Sequence, residues 1–200
     1  MARNREQTRL KIITAAYEEF YQKGFSRSGV DAIAEAAGLT KRTLYDHFES
    51  KDVLIEAVLD HQNQLVLDRM KKWVPEEASD PSAMIDHIFD KLMKWMDQPR
   101  WIGSGFSRAA LELADLPGHP ARHAASKHKK AVEGWLEAEF LKYGLSNAKD
   151  CATQIMVILE GAQSLVLIHQ GVAYAEVARN AALVCVQAAG CASASGSRST

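Results

Sequence analysis

Apolar side chains recur at helical spacing along most of the chain. Leu10, Ile13, Tyr17 and Phe20 follow the i, i+3, i+7, i+10 pattern of one buried helix face. They predict a first helix over about residues 5–23, which Gly24 ends. We find no alternating strand pattern, no hairpin turn and no fixed-period repeat, so the pattern indicates an all-α fold.

Proline, glycine and polar residues separate the helices that follow. Ser50 is expected to cap a long helix that begins at Lys51, and Asp80-Pro81 supplies the cap and first residue of the next one. With two short helices inside residues 30–48, about nine helices are predicted. The later ones cover about residues 51–73, 81–97, 106–113, 120–143, 146–170 and 173–190. The residues expected in the core are Leu10, Ile13, Phe20, Phe25, Ile33, Leu44 and Phe48 in the first three helices, Val53, Leu54, Ala57, Val58, Leu65 and Leu67 in the fourth, Ile85, Ile88, Phe89, Leu92 and Met96 in the fifth, and Val132, Trp135, Leu136, Phe140 and Leu141 in the seventh.

Residues 30–48 read VDAIAEAAGLTKRTLYDHF and predict a helix-turn-helix. Ala34 is small where two helices cross, and Gly38 can take the positive φ of a tight turn. Leu39 and Leu44 would hold the second helix against the first. A second helix of this kind enters the major groove of DNA N-terminus first, which would place residues 41–43 nearest the base edges.

The composition is that of an ordinary soluble globular protein, with 47% apolar and 24% charged residues. The net charge of −1 hides an uneven distribution, because residues 1–51 hold nine Lys and Arg against seven Asp and Glu. Arg3, Arg5, Arg9 and Lys11 make the N-terminus basic. The sequence has neither a signal-peptide pattern nor an unbroken apolar run of membrane length, so we expect a cytoplasmic protein with no membrane partner.

The three cysteines, Cys151, Cys185 and Cys191, lie in apolar or terminal segments without a C-x-x-C spacing. Their odd number favours reduced thiols over a disulfide framework. Cys151 would be a redox sensor if a helix start lowered its pKa, but the sequence identifies no cation fixed beside it.

His119, His123 and His128 are close in sequence, yet no matching Cys, Asp or Glu spacing completes a metal site. Solvated or capping histidines are therefore favoured. We expect neither a metal nor another cofactor.

The helix-turn-helix and the TLYDHFESKDVL sequence around its end give the chain a specific resemblance. Residues from about 9 to 58 resemble the DNA-binding domain of TetR-type transcriptional repressors. The chain departs from the family at Gly29-Val30, where a Thr usually reaches a phosphate, and Ser28 is the expected substitute. The matching residues are Ile13, Ala16, Phe20, Gly24, Phe25, Ile33, Ala34, Ala37, Gly38, Leu39, Thr43, Leu44, Tyr45, His47, Phe48, Ser50, Lys51 and Leu54.

The resemblance implies an all-helical homodimer with a DNA-binding domain followed by a ligand-binding and dimerisation domain. We place the helix-turn-helix domain at residues 1–50 and the second domain at residues 51–190. The last ten residues, 191–200, are small and polar enough to form a disordered tail.

The residues expected to contact DNA surround the second helix of the motif. Arg42 and Lys41 would donate to guanine O6 and N7, while Asp46 would orient the Arg42 guanidinium. Lys51 would add a cation at the phosphodiester. A solvated polar face is the alternative for the whole set. The set is Ser28, Thr40, Lys41, Arg42, Thr43, Tyr45, His47 and Lys51.

Aromatic and apolar side chains in the C-terminal half are candidates for a ligand pocket, although an ordinary core position is the commoner role for each. The candidates are Trp95, Met96, Trp101, Phe106, Trp135, Met156 and His169, with Gln163, Arg108 and Glu112 as polar contacts.

Small and apolar residues of the last two helices predict a dimer interface, because a symmetric dimer places two reading helices one DNA turn apart, ~34–36 Å. Packing within one chain is the alternative. The interface residues are Gly161, Ala162, Leu165, Ile168, Ala178, Ala181 and Ala182.

These features predict a repressor that binds palindromic double-stranded DNA as a homodimer and leaves it when a small, largely apolar ligand binds. The alternative is an effector-independent DNA-binding activator or architectural protein. No nucleophile–base pair and no phosphate-binding glycine loop indicates an enzyme.

Overall fold

The computed structural model describes residues 2–76 and 78–195, and this part of the chain forms nine helices and no strand. The predicted all-α fold is confirmed, and the predicted helix starts lie within three residues of the observed ones. The helices are α1 (Ala2–Lys23), α2 (Val30–Ala36), α3 (Lys41–Tyr45), α4 (Lys51–Lys71), α5 (Pro81–Met96), α6 (Gly105–Glu112), α7 (Pro120–Lys142), α8 (Ala148–His169) and α9 (Ala173–Ser195).

The C-terminus differs from the prediction. Helix α9 continues to Ser195, five residues beyond the expected end at Gly190, so residues 191–195 are helical rather than part of a disordered tail. Alanine-rich sequence favours helix, which accounts for the longer α9. The rest of the predicted tail, residues 196–200, lies outside the described residues.

The chain divides into two compact units. The first unit comprises the residues up to Val66 together with Ser104–His128, and the second comprises Leu67–Gly103 and the residues from Lys129 onward. Helices α4 and α7 therefore contribute residues to both units, and α6 belongs to the first. The functional boundary at residue 50 stays a prediction, since a compact unit need not coincide with a function.

The core of the first unit confirms most of the predicted positions. Ile13, Phe20, Phe25, Ile33, Leu44 and Phe48 are all buried. Leu10 is wrong, because 46% of its surface is exposed. The buried face of α1 is centred on Ile12, Ile13, Ala16 and Phe20, and Leu10 lies at its edge.

Three other positions predicted to be buried are exposed. On α4 the buried face is formed by Leu54, Ile55, Val58, Leu59 and Gln62, which leaves Val53 and Leu65 at 39% and 45% exposure. On α7 Leu141 is 58% exposed, because it follows Phe140, whose ring is buried instead. The predicted stripe of α5 is confirmed in full, since Ile85, Ile88, Phe89, Leu92 and Met96 are buried.

In the second unit α8 packs against α9, and one face of each enters the core. Helix α8 is long and apolar enough to cross a membrane by length and composition. A helix in the core of a globular protein passes the same test, and the buried face of α8 includes Ile155, Leu159 and Val166.

Candidate nucleic-acid interface

The turn between α2 and α3 has the geometry that the sequence predicts. Gly38 has φ +61°, and the N–H of Leu39 donates to the Ala34 carbonyl at 2.9 Å. Thr40 then caps α3, because its hydroxyl oxygen accepts the N–H of Thr43 at 3.1 Å. The turn and the cap together fix where this five-residue helix begins.

Apolar contacts hold α3 on one side and leave its polar side exposed. Leu44 is fully buried and Phe48 nearly so. Lys41, Arg42 and Tyr45 are exposed. Helix α3 therefore offers a cation, a planar guanidinium donor and a phenol on one accessible surface.

Two N-terminal arginines lie beside α3, and the sequence did not predict this contact. The Arg5 guanidinium donates to the Asp46 carbonyl at 3.4 Å, and the Arg9 guanidinium lies 5.0 Å from the centre of the Phe48 ring. The basic bias of the first residues was the available signal, but only the fold places two of those cations next to α3.

The residues of α3 that are predicted to contact DNA differ in whether they already bind other residues of the protein. Lys41 pairs with Asp31 at 3.0 Å across the motif, and the carboxylate raises the pKa of Lys41. Thr43 is half-buried, and its hydroxyl lies 2.9 Å from that of Thr40. Arg42 is exposed, and in the described part of the chain it forms no ion pair with Asp46, so the predicted orienting contact is not present. His47 is half-buried at the C-terminal side of the helix.

The structure contradicts the prediction for Ser28. Its side chain is 3% exposed, and its hydroxyl lies within hydrogen-bonding distance of the carbonyls of Glu19 at 3.0 Å and Gly24 at 2.8 Å. A hydroxyl that is buried against the end of α1 is not placed to reach a phosphate.

Lys51 is also held within the fold. Its ammonium donates to the Ser26 carbonyl at 3.0 Å and lies 5.9 Å from the centre of the Phe20 ring. Burial lowers its pKa. The preceding residue behaves as predicted, since the Ser50 hydroxyl accepts the N–H of Val53 at 3.2 Å and caps α4.

Two residues that were candidates for a ligand pocket instead join α6 to the end of α1. The Glu112 carboxylate accepts the backbone N–H groups of Phe25 at 2.7 Å and Ser26 at 3.2 Å. Arg108 donates to the Tyr21 carbonyl at 2.6 Å and to Glu112 at 3.1 Å. We call this set of contacts the α6 clamp. Arg108 and Glu112 therefore hold α6 against the C-terminal end of α1 and the turn that follows it.

The second unit contains an open cleft of about 750 Å³. Its walls come from the C-terminal end of α4, the segment after it and the C-terminal half of α7. Trp135 is the predicted ligand residue that lines it. Lys71 and Lys142 add cations, Glu76 and Glu139 add carboxylates, and Lys142 pairs with Glu139 at 2.8 Å. The lining residues are Leu67, Lys71, Val74, Pro75, Glu76, Ala78, Ala131, Trp135, Ala138, Glu139, Lys142 and Tyr143.

The structure does not bring the other predicted ligand residues to this cleft. Trp95 and Trp101 meet edge to face at 5.7 Å, and Met96 is buried in the core. Phe106 belongs to the first unit, where it stacks on the buried His128 at 3.8 Å. Elsewhere in the second unit, Met156 is half-buried, Gln163 donates to the Leu159 carbonyl at 3.2 Å, and His169 stacks on Tyr174 at 4.6 Å.

An exposed apolar surface lies along α8 and α9. Leu165 and Ile168 are 40% and 66% exposed, and Gly161 and Ala181 are exposed as well. Ala162 and Ala182 are buried within the subunit, and Ala178 is half-buried. The surface also includes residues outside the predicted set, Val157, Val177 and Val184, each more than 60% exposed. We call the exposed residues of this surface the apolar face. They are Val157, Gly161, Leu165, Ile168, Val177, Ala181 and Val184.

Among the described residues no group of three or more His, Cys, Asp and Glu side chains could hold a metal ion. His119 is buried, and its Nδ1 accepts the N–H of Ala121 at 3.1 Å, so it caps the start of α7. Burial excludes the solvated role for this histidine and leaves the capping role.

Comparison with known proteins finds a family model and several relatives that match part of this chain. Residues 12–58 match the family model described as "Bacterial regulatory proteins, tetR family". Over 94 residues the chain is 44% identical to the transcriptional regulator TtgR of Pseudomonas putida, a match that covers 44% of each protein. Over 63 residues it is 43% identical to the transcriptional activator FasR of Mycolicibacterium smegmatis, which covers 31% of this chain and 29% of FasR. The chain thus matches less than half the length of these relatives.

A solved structure extends the likeness to most of the fold. A tetR transcriptional regulator from Streptomyces avermitilis superposes with a TM-score of 0.72 and 26% sequence identity. The superposition covers 88% of this chain and 97% of the other. The sequence match is therefore concentrated around the helix-turn-helix, while the helical architecture is shared along nearly the whole chain.

Proposed function

We propose that the chain is a DNA-binding transcriptional regulator of the tetR family of bacterial regulatory proteins, and that it is a repressor with a small-molecule effector. In this proposal a homodimer binds a palindromic operator in the cytoplasm. A small, largely apolar ligand binds the C-terminal domain and lowers the affinity for that operator.

The DNA-binding part of the proposal rests mainly on how α3 is held and exposed. Its N-terminus is fixed by Thr40, and its apolar side is anchored by Leu44. Arg42 is exposed and forms no ion pair with any residue that the structure describes. A guanidinium at this position suits a bidentate contact with guanine O6 and N7. Arg5 and Arg9, which lie beside α3, suit phosphates that flank the same half-site.

The apolar face of α8 and α9 supports the homodimer. Side chains such as Ile168, Val177 and Val184 are each more than 60% exposed in one subunit, and contiguous apolar surface of this kind is typical of a protein interface. A second copy of the chain would bury the same face of its own α8 and α9, as a two-fold symmetric interface requires.

The cleft of the second unit supports a small, largely apolar effector. Trp135, Val74 and Leu67 supply the apolar wall. The cations Lys71 and Lys142 are balanced by Glu76 and Glu139, and Lys142 pairs with Glu139 at 2.8 Å. Helix α4 runs from Lys51, which contacts the turn after α1, to Lys71 at this cleft. A ligand that prefers one position of α4 would therefore shift the population of helix-turn-helix positions, which is how it would change operator affinity.

The test of repression uses a reporter gene under the promoter that lies beside the gene for this protein in its host. Deleting the gene should raise reporter expression if the protein represses. The second candidate, an activator, is favoured by the likeness to FasR, whose name describes an activator. Lower expression after deletion would establish activation and overturn repression.

The test of the effector site uses 1-anilinonaphthalene-8-sulfonate, a fluorescent aromatic anion, as the probe. It should bind the wild type and compete with operator DNA in an anisotropy titration. Ala138→Trp, which fills the cleft, should weaken probe binding, whereas Ala114→Trp on an exposed turn of the first unit should not. Equal probe binding by both variants, or probe binding that leaves operator affinity unchanged, would contradict the proposal.

A further inference from the structure

Two cysteines from different helices meet in the second unit. Cys151 lies near the start of α8, Cys185 lies on α9, and their sulfur atoms are 3.9 Å apart. Both are free thiols. A disulfide needs a separation of about 2.05 Å, so the two sulfurs must approach by a little under 2 Å to bond. That movement is small enough for side-chain rotation with a slight shift of α8 against α9.

The two thiols differ in their surroundings. Cys151 is 1% exposed, and burial together with the nearby Cys185 raises its pKa to about 12. Cys185 is half-buried, and its S–H donates to the side-chain oxygen of Gln154 at 2.8 Å. Gln154 is exposed, so the Cys185 sulfur is the one that a small solute approaches from solvent. The buried Cys151 supplies the second thiol of the pair.

We propose that Cys151 and Cys185 form an oxidation site at which hydrogen peroxide converts the two thiols to an intrasubunit disulfide. Cys185 gives up its S–H proton, and its thiolate attacks one peroxide oxygen. The O–O bond breaks, Cys185 becomes a sulfenic acid, and the departing hydroxide takes up that proton and leaves as water. The Cys151 sulfur then attacks the Cys185 sulfur. Hydroxide leaves and takes up the Cys151 proton as a second water. Two thiols lose two electrons, and one peroxide gains them.

The disulfide would join α8 to α9, the two helices that carry the apolar face. Val184 of that face precedes Cys185 directly. The site therefore couples the oxidation state of the subunit to the packing of this helix pair. The chemistry itself depends only on the two thiols, and it would hold even if the repressor proposal failed.

The test treats the reduced full-length protein with hydrogen peroxide and maps its cysteines by mass spectrometry. Trypsin places Cys151 in the peptide that ends at Arg179, whereas Cys185 and Cys191 share the next peptide. A Cys191→Ser background therefore makes the assignment unique. In that background we expect free thiols to fall from two per chain to none, with the two peptides joined and the chain still monomeric on a non-reducing gel.

Variants of the pair separate the two chemical steps. Cys151→Ala, a small apolar replacement for a buried side chain, should stop the reaction at a Cys185 sulfenic acid that dimedone traps. Cys185→Ser should leave Cys151 unreacted. The proposal is overturned if the Cys191→Ser protein keeps both thiols under peroxide, or if its oxidation yields crosslinks between chains in place of the Cys151–Cys185 peptide pair.

Discussion

The α6 clamp makes a quantitative prediction about Glu112. Replacing Glu112 with alanine removes the acceptor of two backbone N–H groups and the partner of Arg108. The N–H of Ser26 is exposed and returns to water, so its loss costs little. The N–H of Phe25 is partly buried, and losing its 2.7 Å bond to a charged oxygen costs about 1.5–3 kcal/mol. For a chain of this size that corresponds to a fall in Tm of about 3–12 °C.

Thermal unfolding followed by circular dichroism at 222 nm measures this change. Glu112→Gln keeps an amide oxygen that can accept from Phe25, so its Tm should lie between those of the wild type and Glu112→Ala. Glu18→Ala, an exposed glutamate of α1, is the matched control and should shift the unfolding free energy by no more than about 0.5 kcal/mol. If Glu112→Ala unfolds within 1 °C of that control, the clamp does not stabilise the first unit as we reason.

Three further perturbations test local features. Thr40→Ala removes the cap of α3 and should lower stability by about 1 kcal/mol, measured by urea unfolding, with Thr40→Ser as the variant that restores it. Gly38→Ala forces an alanine into φ +61° and should cost about 1–2 kcal/mol of stability. The cost comes from the backbone, since among the described residues the new Cβ would approach the Lys11 ammonium alone, at 3.5 Å. An unchanged urea midpoint would show that the turn adapts to alanine. Hydrogen bonds from Ala83 and then Ser79 hold the pKa of Asp80 below its ordinary value of 3.8, so its contribution is present above that pH and is lost as pH falls through the lowered value. Relative to Asp80→Asn, which caps without titrating, the wild type should lose stability in acid unfolding below about pH 4, and parallel curves would contradict this.

Much of the fold follows from local sequence, because helix starts and stops depend on neighbouring residues. Asp80 caps α5 through the N–H of Ala83 at 2.9 Å, as expected, and Gly24 takes φ +100° where α1 ends. Which residues at the edge of a buried helix face are covered is harder to predict. Leu10 fits the helical spacing as well as Ile13 does, and only the position of the neighbouring helices decides which of them is covered.

The candidate site likewise has features that local sequence predicts and features that it does not. The capped and exposed α3 was predictable, since Gly38, Thr40 and Leu44 lie within a stretch of seven residues. The α6 clamp was not, because it joins Glu112 to backbone groups 86 and 87 residues away. The burial of Ser28 and the contact between Cys151 and Cys185 also depend on distant segments that no local pattern reveals.

Selection of bound DNA from a randomised pool tests most directly whether α3 reads sequence. The wild type should enrich two inverted half-sites whose centres are about one helical turn apart. Arg42→Ala should keep that spacing and lose the preference at one symmetric position in each half-site, whereas Arg100→Ala, an exposed arginine of the second unit, should enrich the wild-type sequence. An Arg42→Ala protein that selects the unchanged sequence, or a wild type that enriches no sequence at all, would contradict the account.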